Sequence, residues 1–346
     1  MNSIGYFMLH LGVCIMSLNS FSQDSAGKGF DLFDSDELLE MTLYFDIREF
    51  LKTRDRQEYS EARITIKLDD ADSLSQNIKI RTRGIMRLSY CSFPPIMLKF
   101  TETDTGIDRR ISPVNIKLVT HCILSSNYES YVLKEYLAYR LFNLITPYSF
   151  KTRLVRIRYM DTRKPGNGFT AYGFMIENVD GMAERNHAIV IDNLKLSQQH
   201  MYTADMARVA VFNYMIGNTD WSVANQHNIK IVLPAGMIAE KGIPVAYDFD
   251  YSGLVNTSYA LPREGIPINS VTERFYQGLC FRNEDIRPVI DEFWRLQEPI
   301  LNTIHDFELL SQAARIKMES YISSFYKMYR SPDDLIDDLN CTCQLH

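Results

Sequence analysis

Alternation of apolar and polar positions marks the first half of the chain. Residues 62–68, ARITIKL, put branched apolar residues at every second position, which predicts a half-buried strand. Residues 78–83, IKIRTR, predict another that ends at Gly84. The run CSFPPIMLKF enters a third through Pro94-Pro95, a tolerated start because the missing amides need not belong to a ladder, and NIKLV over residues 115–119 predicts a fourth. Together they predict an antiparallel sheet decorated with basic residues. Ahead of it, residues 34–53 mix acidic side chains with Leu39, Met41, Leu43, Phe45, Ile47, Phe50 and Leu51, which fits a short helix or a strand entering one.

The period then lengthens. Residues 128–145 carry Val132, Leu133, Tyr136, Leu137, Tyr139, Leu141 and Leu144 on a broad helical face, and Pro147 suits a stop just beyond. TRLVRIRYM from Thr152 and TAYGFMIENV from Thr170 read as strands joined by the Pro165-Gly166-Asn167-Gly168 turn. A sheet crossed by one helix fits this portion better than a parallel nucleotide-binding fold. From Ser197 onward helices dominate. Residues 204–216 are apolar on most faces, and Gly217-Asn218 can break that helix and turn the chain toward Asp220. Short strands over 229–233 and 245–247 and long helices over 284–301 and 309–329 follow; no internal repeat is present.

Composition narrows the function classes. With 46% hydrophobic and 23% charged residues the chain is an ordinary globular one, and a net charge of -6 with a pI near 5.7 gives no general reason to expect nucleic acid. Residues 4–16 form a short apolar run, and Ser20 and Ser22 supply small residues for cleavage before Gln23, so residues 1–22 read as a signal peptide, although no Lys or Arg precedes the run. Nothing later approaches a membrane span. The expected mature protein is therefore exported, to the periplasm, cell surface or exterior. It retains Cys91, Cys122, Cys280, Cys341 and Cys343, an odd number that permits one or two disulfides, with Cys91 and Cys122 a pair if their strands are neighbours.

The densest candidate chemistry lies between residues 212 and 253. Asp220 and Asn225 form D-x-x-x-x-N, with Asn228 three residues on, and Tyr247-Asp248-Phe249-Asp250 puts carboxylates at the end of a short apolar strand. An aspartate can orient a hydroxyl while amide and carboxylate oxygens hold a hard divalent metal such as Mg2+ or Mn2+. Asx-rich turns use the same residues to bond their own backbone. Positive charge over a phosphate falls to Lys117 on its strand, with Glu135 of the following helix as the expected partner and Glu129 as the alternative; Lys99 competes, and Arg81, Arg83 and Arg87 flank the Gly84 turn. No G-x-G-x-x-G, P-loop, H-E-x-x-H or G-x-S-x-G occurs, and His121 and His227 read as structural or hydrogen-bonding residues.

The segments IKIRTRG, FPPIMLKF, NIKLVTHC, YVLKEYLAYRLFNLITPYSF, YGFMIENVDGM, FNYMIGNTDWS, HNIKI and PVAYDFDYSG resemble, in that order over roughly residues 60–260, the CotH family of spore-coat and secreted atypical kinases, in its exported Bacteroidetes-type form. The resemblance implies an α+β, divergent two-lobed protein-kinase-like fold that binds ATP with Mg2+ or Mn2+ and phosphorylates an exported protein. It makes Asp220 the catalytic-loop aspartate, with Lys117 and Glu135 as its catalytic companions. It makes Asp248 and Asp250 metal-binding acids together with Asn225 or Asn228, and Glu177, Lys117 and Arg83 nucleotide contacts. Arg83-Gly84-Ile85-Met86 departs from the family's usual R-G-N-S. The implied organisation is an N-terminal extension over 23–58, kinase-like lobes over 59–180 and 181–332 that meet near Glu177–Arg185, and a tail over 333–346. The alternatives are an inactive kinase-like binding or structural module and a metal-dependent phosphate-ester hydrolase.

Overall fold

Strand alternation is realised in a different architecture. The computed structural model describes residues 31–68, 72–100, 115–164, 166–192, 194–236 and 241–343; the expected signal peptide lies outside the described residues. Strand β1 (Leu39–Phe45) buries Leu39, Met41, Leu43 and Phe45 and exposes the residues between them more. The period of two recurs in β2 (Ser60–Lys67), β3 (Ser73–Thr82), β4 (Ile96–Lys99) and β5 (Asn115–Val119), whereas β6 (Thr152–Asp161) and β7 (Gly168–Ile176) are buried on both faces at the start of β6 and the end of β7.

These strands close in the order β1-β2-β3-β4-β5-β7-β6, and β1 meets β6 in parallel from Leu39 beside Val155 to Phe45 beside Asp161. That pairing corrects the expected open sheet of a two-lobed kinase-like fold. The strand that closes the barrel comes from residues assigned to an N-terminal extension, and closure abolishes both sheet edges. Of the two readings of that stretch the strand entering a helix is realised, because β1 runs directly into helix α1 (Ile47–Lys52), capped by the Asp46 carboxylate, which accepts from the Glu49 N–H at 3.0 Å. Inward residues of every strand form one core, among them Ile64, Ile80, Leu98, Ile116, Leu118, Val155 and Ile157.

A second core lies outside the barrel. Val119, Leu154, Phe174 and Ile176 face outward from β5, β6 and β7 and pack on a helix separated from the barrel core by the barrel wall. After the one-turn helix α2 (Met86–Tyr90), that helix is α3 (Ser126–Ile145), whose Tyr136 and Tyr139 rings sit 5.9 and 5.6 Å from Phe174. The chain continues through α4 (Val179–Arg185), β8 (Ala188–Ile191), α5 (Thr203–Ile216), β9 (Ile229–Pro234) and β10 (Ile243–Ala246), and β9 lies between β10 and β8 in a small antiparallel sheet. Helices α6 (Asn283–Arg295) and α8 (Gln312–Met328) pack on α5, while α7 (Gln297–His305) packs on α3 and α8, and α9 (Pro332–Thr342) packs on α6.

Disulfides Cys91–Cys122 and Cys280–Cys343 secure α2 and the C-terminal helix, and Cys341 is a free, exposed thiol. No helix among the described residues is long and apolar enough to cross a membrane.

Candidate functional site

The alternation that fills the barrel also charges its outside. On β5, Ile116 and Leu118 point into the core, so Lys117 must point out, where its ammonium lies 4.6 Å from the centroid of the Tyr247 ring. Arg83 follows β3, with its N–H donating to the Pro95 carbonyl at 2.9 Å. Gly84, at φ +92°, then turns the chain into α2 and brings Arg87 toward the same face. The Cys91–Cys122 bridge ties the end of α2 to the segment after β5.

Carboxylates meet this face from the other unit. Helix α3 buries Glu135 to 1% exposure, and β10 runs into Asp248 and Asp250. The turn is fixed by Phe249, whose buried ring packs at 4.8 Å on Tyr139 and 5.5 Å on Phe212. Asp248 sits in the left-handed region at φ +64°, and its N–H donates to the Tyr139 hydroxyl at 2.8 Å. Arg87 lies between two of the acids. Its Nη2 donates to Glu135 Oε2 at 2.6 Å and its Nε to Asp250 Oδ2 at 3.0 Å, and the Tyr259 hydroxyl donates to the same Asp250 oxygen at 2.9 Å. Glu135 Oε1 is buried without a hydrogen-bond partner. Ligand oxygens of Glu135, Asp248 and Asp250 lie within 4.8 Å of one another.

Burial sets the electrostatics. It pushes the Glu135 carboxyl up to about 8 despite the Arg87 guanidinium, and it raises Asp250 as well. Burial opposes the Arg87 charge, but Asp250 and Glu135 outweigh it and hold that group well above the ordinary guanidinium value. Lys117 is driven down to about 8 by burial and by Arg83, with Asp248 pulling the other way. Arg83 is lowered by burial, again against Asp248. Neither Lys117 nor Arg83 forms an ion pair with a carboxylate among the described residues. Lys99 and Arg81 lie instead over the Tyr59 ring, each 5.3 Å from its centroid.

Asp220 lies on a separate loop reached through Gly217, which ends α5 at φ +65°. His227 Nε2 is 2.8 Å from Asp220 Oδ1, and the Asn228 amide donates to Asp220 Oδ2 at 3.0 Å and to its carbonyl at 2.8 Å. The Asn228 carbonyl in turn accepts from the Tyr247 N–H at 3.0 Å, which joins this loop to the strand carrying Asp248. Asn225 is exposed, and only its backbone N–H is engaged, by Ser222 Oγ. Of the two asparagines, Asn228 is therefore the one built into the network, as a donor to Asp220. Glu177 is held by Arg185 at 2.9 and 3.1 Å and accepts from the Lys151 N–H, an ion pair that caps the crossing out of β7.

The chain matches no family model and no curated protein. The likeness to the CotH family accordingly stands on the quoted motifs alone. The ATP-dependent kinase-like phosphotransferase, and the inactive kinase-like module with it, are overturned by the fold. The N-terminal strands form a closed barrel where an open lobe was expected, and the segment expected over the phosphates is the helical turn α2, whose Arg87 occupies the carboxylates. Phosphate-ester hydrolysis with paired metals fits no better. The described residues supply one small three-carboxylate group, and two of its members each give an oxygen to that guanidinium.

The arrangement also reassigns partners. Glu135 pairs with Arg87, not with Lys117, and the hydroxyls of Tyr139 and Tyr259 belong to the site without any local motif that marks them.

Proposed function

We propose that the junction between the barrel and the helical unit binds a divalent cation together with a phosphate-bearing ligand. The observation that carries this reading is the opposition of three clustered carboxylate groups to two half-buried cations, Arg83 and Lys117, that have no carboxylate partner among the described residues. Arg87 uses one oxygen each of Glu135 and Asp250, and the buried, unpartnered Glu135 Oε1 is a hard ligand suited to Mg2+ or Mn2+. A phosphate bridging that cation to Arg83 and Lys117 would offset the charge of both and favour the protonated form of Lys117. Because burial favours the protonated Glu135, the metal would have to displace a proton. Two disulfides fit an oxidising compartment and so support the export implied by residues 1–22.

Calorimetry with Mn2+ and pyrophosphate tests this reading. Asp248→Asn should weaken Mn2+ binding, whereas Lys117→Met should weaken pyrophosphate binding by about tenfold or more and leave Mn2+ alone, since a charge-assisted contact contributes about 1.5–3 kcal/mol. Pyrophosphate binding that is indifferent to both Mn2+ and Lys117 would rule it out.

A further inference from the structure

Beside the charged junction lies a cavity of about 370 Å³ with a mostly apolar wall, formed by Met86, Tyr90, Tyr251, Tyr259 and Leu261 together with the stem of Arg87. Two of these residues reach both spaces, because Arg87 and Tyr259 each bond Asp250. The phenol rings run in sequence from the surface to the acids. Tyr131 meets Tyr128 at 5.4 Å, Tyr128 meets Tyr90 at 6.3 Å, Tyr90 meets Tyr259 at 5.3 Å, and Tyr259 meets Tyr251 at 5.8 Å between centroids. Exposure is high where a ligand would enter, at 73% for Leu261, 64% for Met86 and 48% for Tyr90.

Most polar groups of this wall are already committed, the Tyr251 hydroxyl excepted. Tyr259 donates to Asp250, the Tyr90 and Tyr128 hydroxyls bond each other at 2.5 Å, Ser258 lies 3.4 Å from Tyr128, and Ser89 donates to the Met86 carbonyl. A sugar ring here would lose water from several hydroxyls and find few partners in return, a costly exchange. A flat apolar ring needs only the faces of Tyr90, Tyr251 and Tyr259 and the thioether of Met86, which make favourable ring and sulfur contacts.

From this we infer that the ligand is an aromatic phosphate ester, its ring seated against Tyr90, Tyr251, Met86 and Leu261 and its phosphate turned past Asp250 toward Arg83 and Lys117. This specificity rests on the phosphate reading given above. It assigns the tyrosine-lined cavity a role in choosing the organic half of the ligand, and it leaves the metal and the phosphate to the junction.

The test compares phenyl phosphate, methyl phosphate and pyrophosphate binding to the full protein with Mg2+, read by calorimetry. Phenyl phosphate should bind about tenfold more tightly than methyl phosphate, the factor that one good aromatic contact supplies. Leu261→Glu, a change at an exposed position that the fold tolerates, should remove that preference and leave pyrophosphate affinity unchanged; Tyr90→Ala should act the same way. Equal affinities for phenyl and methyl phosphate, with pyrophosphate bound, would overturn the ring assignment and spare the phosphate site. Failure of all three anions to bind would overturn the phosphate reading itself and the ring assignment with it.

Discussion

The two sides of strands β3 to β5 are made by one alternating pattern and serve opposite ends. Inside the barrel, Ile78, Ile80, Ile96, Leu98, Ile116 and Leu118 are buried at 1% exposure or less and packed together without a charge between them. Outside, the next register positions carry Arg81, Lys99 and Lys117, and the strand end carries Arg83. The interior is held by packing, which local pattern specifies well. The outer face is held by charges whose partners come from distant elements, so its order depends on how the barrel and the helical unit meet. Stability and binding chemistry are thus placed on opposite faces of the same strands, and perturbing each face separates them.

The largest effect should come from the charged side. Arg87→Ala leaves Glu135 and Asp250 buried without their cation and is expected to cost about 3–5 kcal/mol in urea unfolding. Adding Glu135→Gln should recover part of that loss, because an amide replaces a buried carboxyl that must otherwise be paired or take up a proton once Arg87 is gone; additive losses in the double variant would show that the pair is not coupled.

A barrel-side change tests the other half of the contrast. His121 is 2% exposed, stacked at 4.9 Å on Phe93 and edged by Tyr159 and Phe169, and burial pushes its imidazole down to about 4. The folded value lies below the unfolded one, so the unfolded chain binds the proton more readily. The stability that follows is present above pH 6.5 and is lost as pH falls toward 4, by at most about 3 kcal/mol. His121→Phe should flatten unfolding free energy over that interval; an unchanged slope would show that His121 does not hold the barrel end in its neutral form.

The bridge between the faces should rank close behind. Replacing Cys91 and Cys122 by Ser removes the tie that anchors α2, and about 2–4 kcal/mol of stability should go with it. If the tie also positions Arg87, the double variant should bind Mn2+ differently from the parent; identical binding would confine the disulfide to the barrel side. The smallest effect is expected at Asn225, which is exposed and joined only through its backbone. Asn225→Ala should shift neither stability nor binding beyond about 0.5 kcal/mol, whereas Asn228→Ala should disturb the Asp220 loop.

Much of this contrast can be read from the chain, and what cannot has physical reasons. Alternation in ARITIKL, IKIRTR and NIKLV marks the strands because a half-buried strand needs that period. The closure by β1 leaves no local mark. Its partner on β6 lies more than a hundred residues away, and the apolar run from Leu39 to Leu51 holds a strand and a helix in succession, whose periods blur together. Asp248 and Asp250 stand out through carboxylates beside an apolar strand. The Arg87 clamp does not stand out, because its partners are 48 and 163 residues away and a guanidinium takes whichever carboxylate the tertiary fold delivers. Lys117 is legible as an outward cation, but the pairing with Glu135 expected for it is not realised, since α2 places the Arg87 guanidinium there instead.

Anomalous diffraction from crystals of the protein soaked in Mn2+ tests the central claim most directly. The account predicts a manganese peak among the carboxylates of Glu135, Asp248 and Asp250, with Arg87 still bonded to the far oxygens of Glu135 and Asp250. Manganese bound only elsewhere, or displacement of the Arg87 guanidinium from both acids when the ion enters, would contradict it.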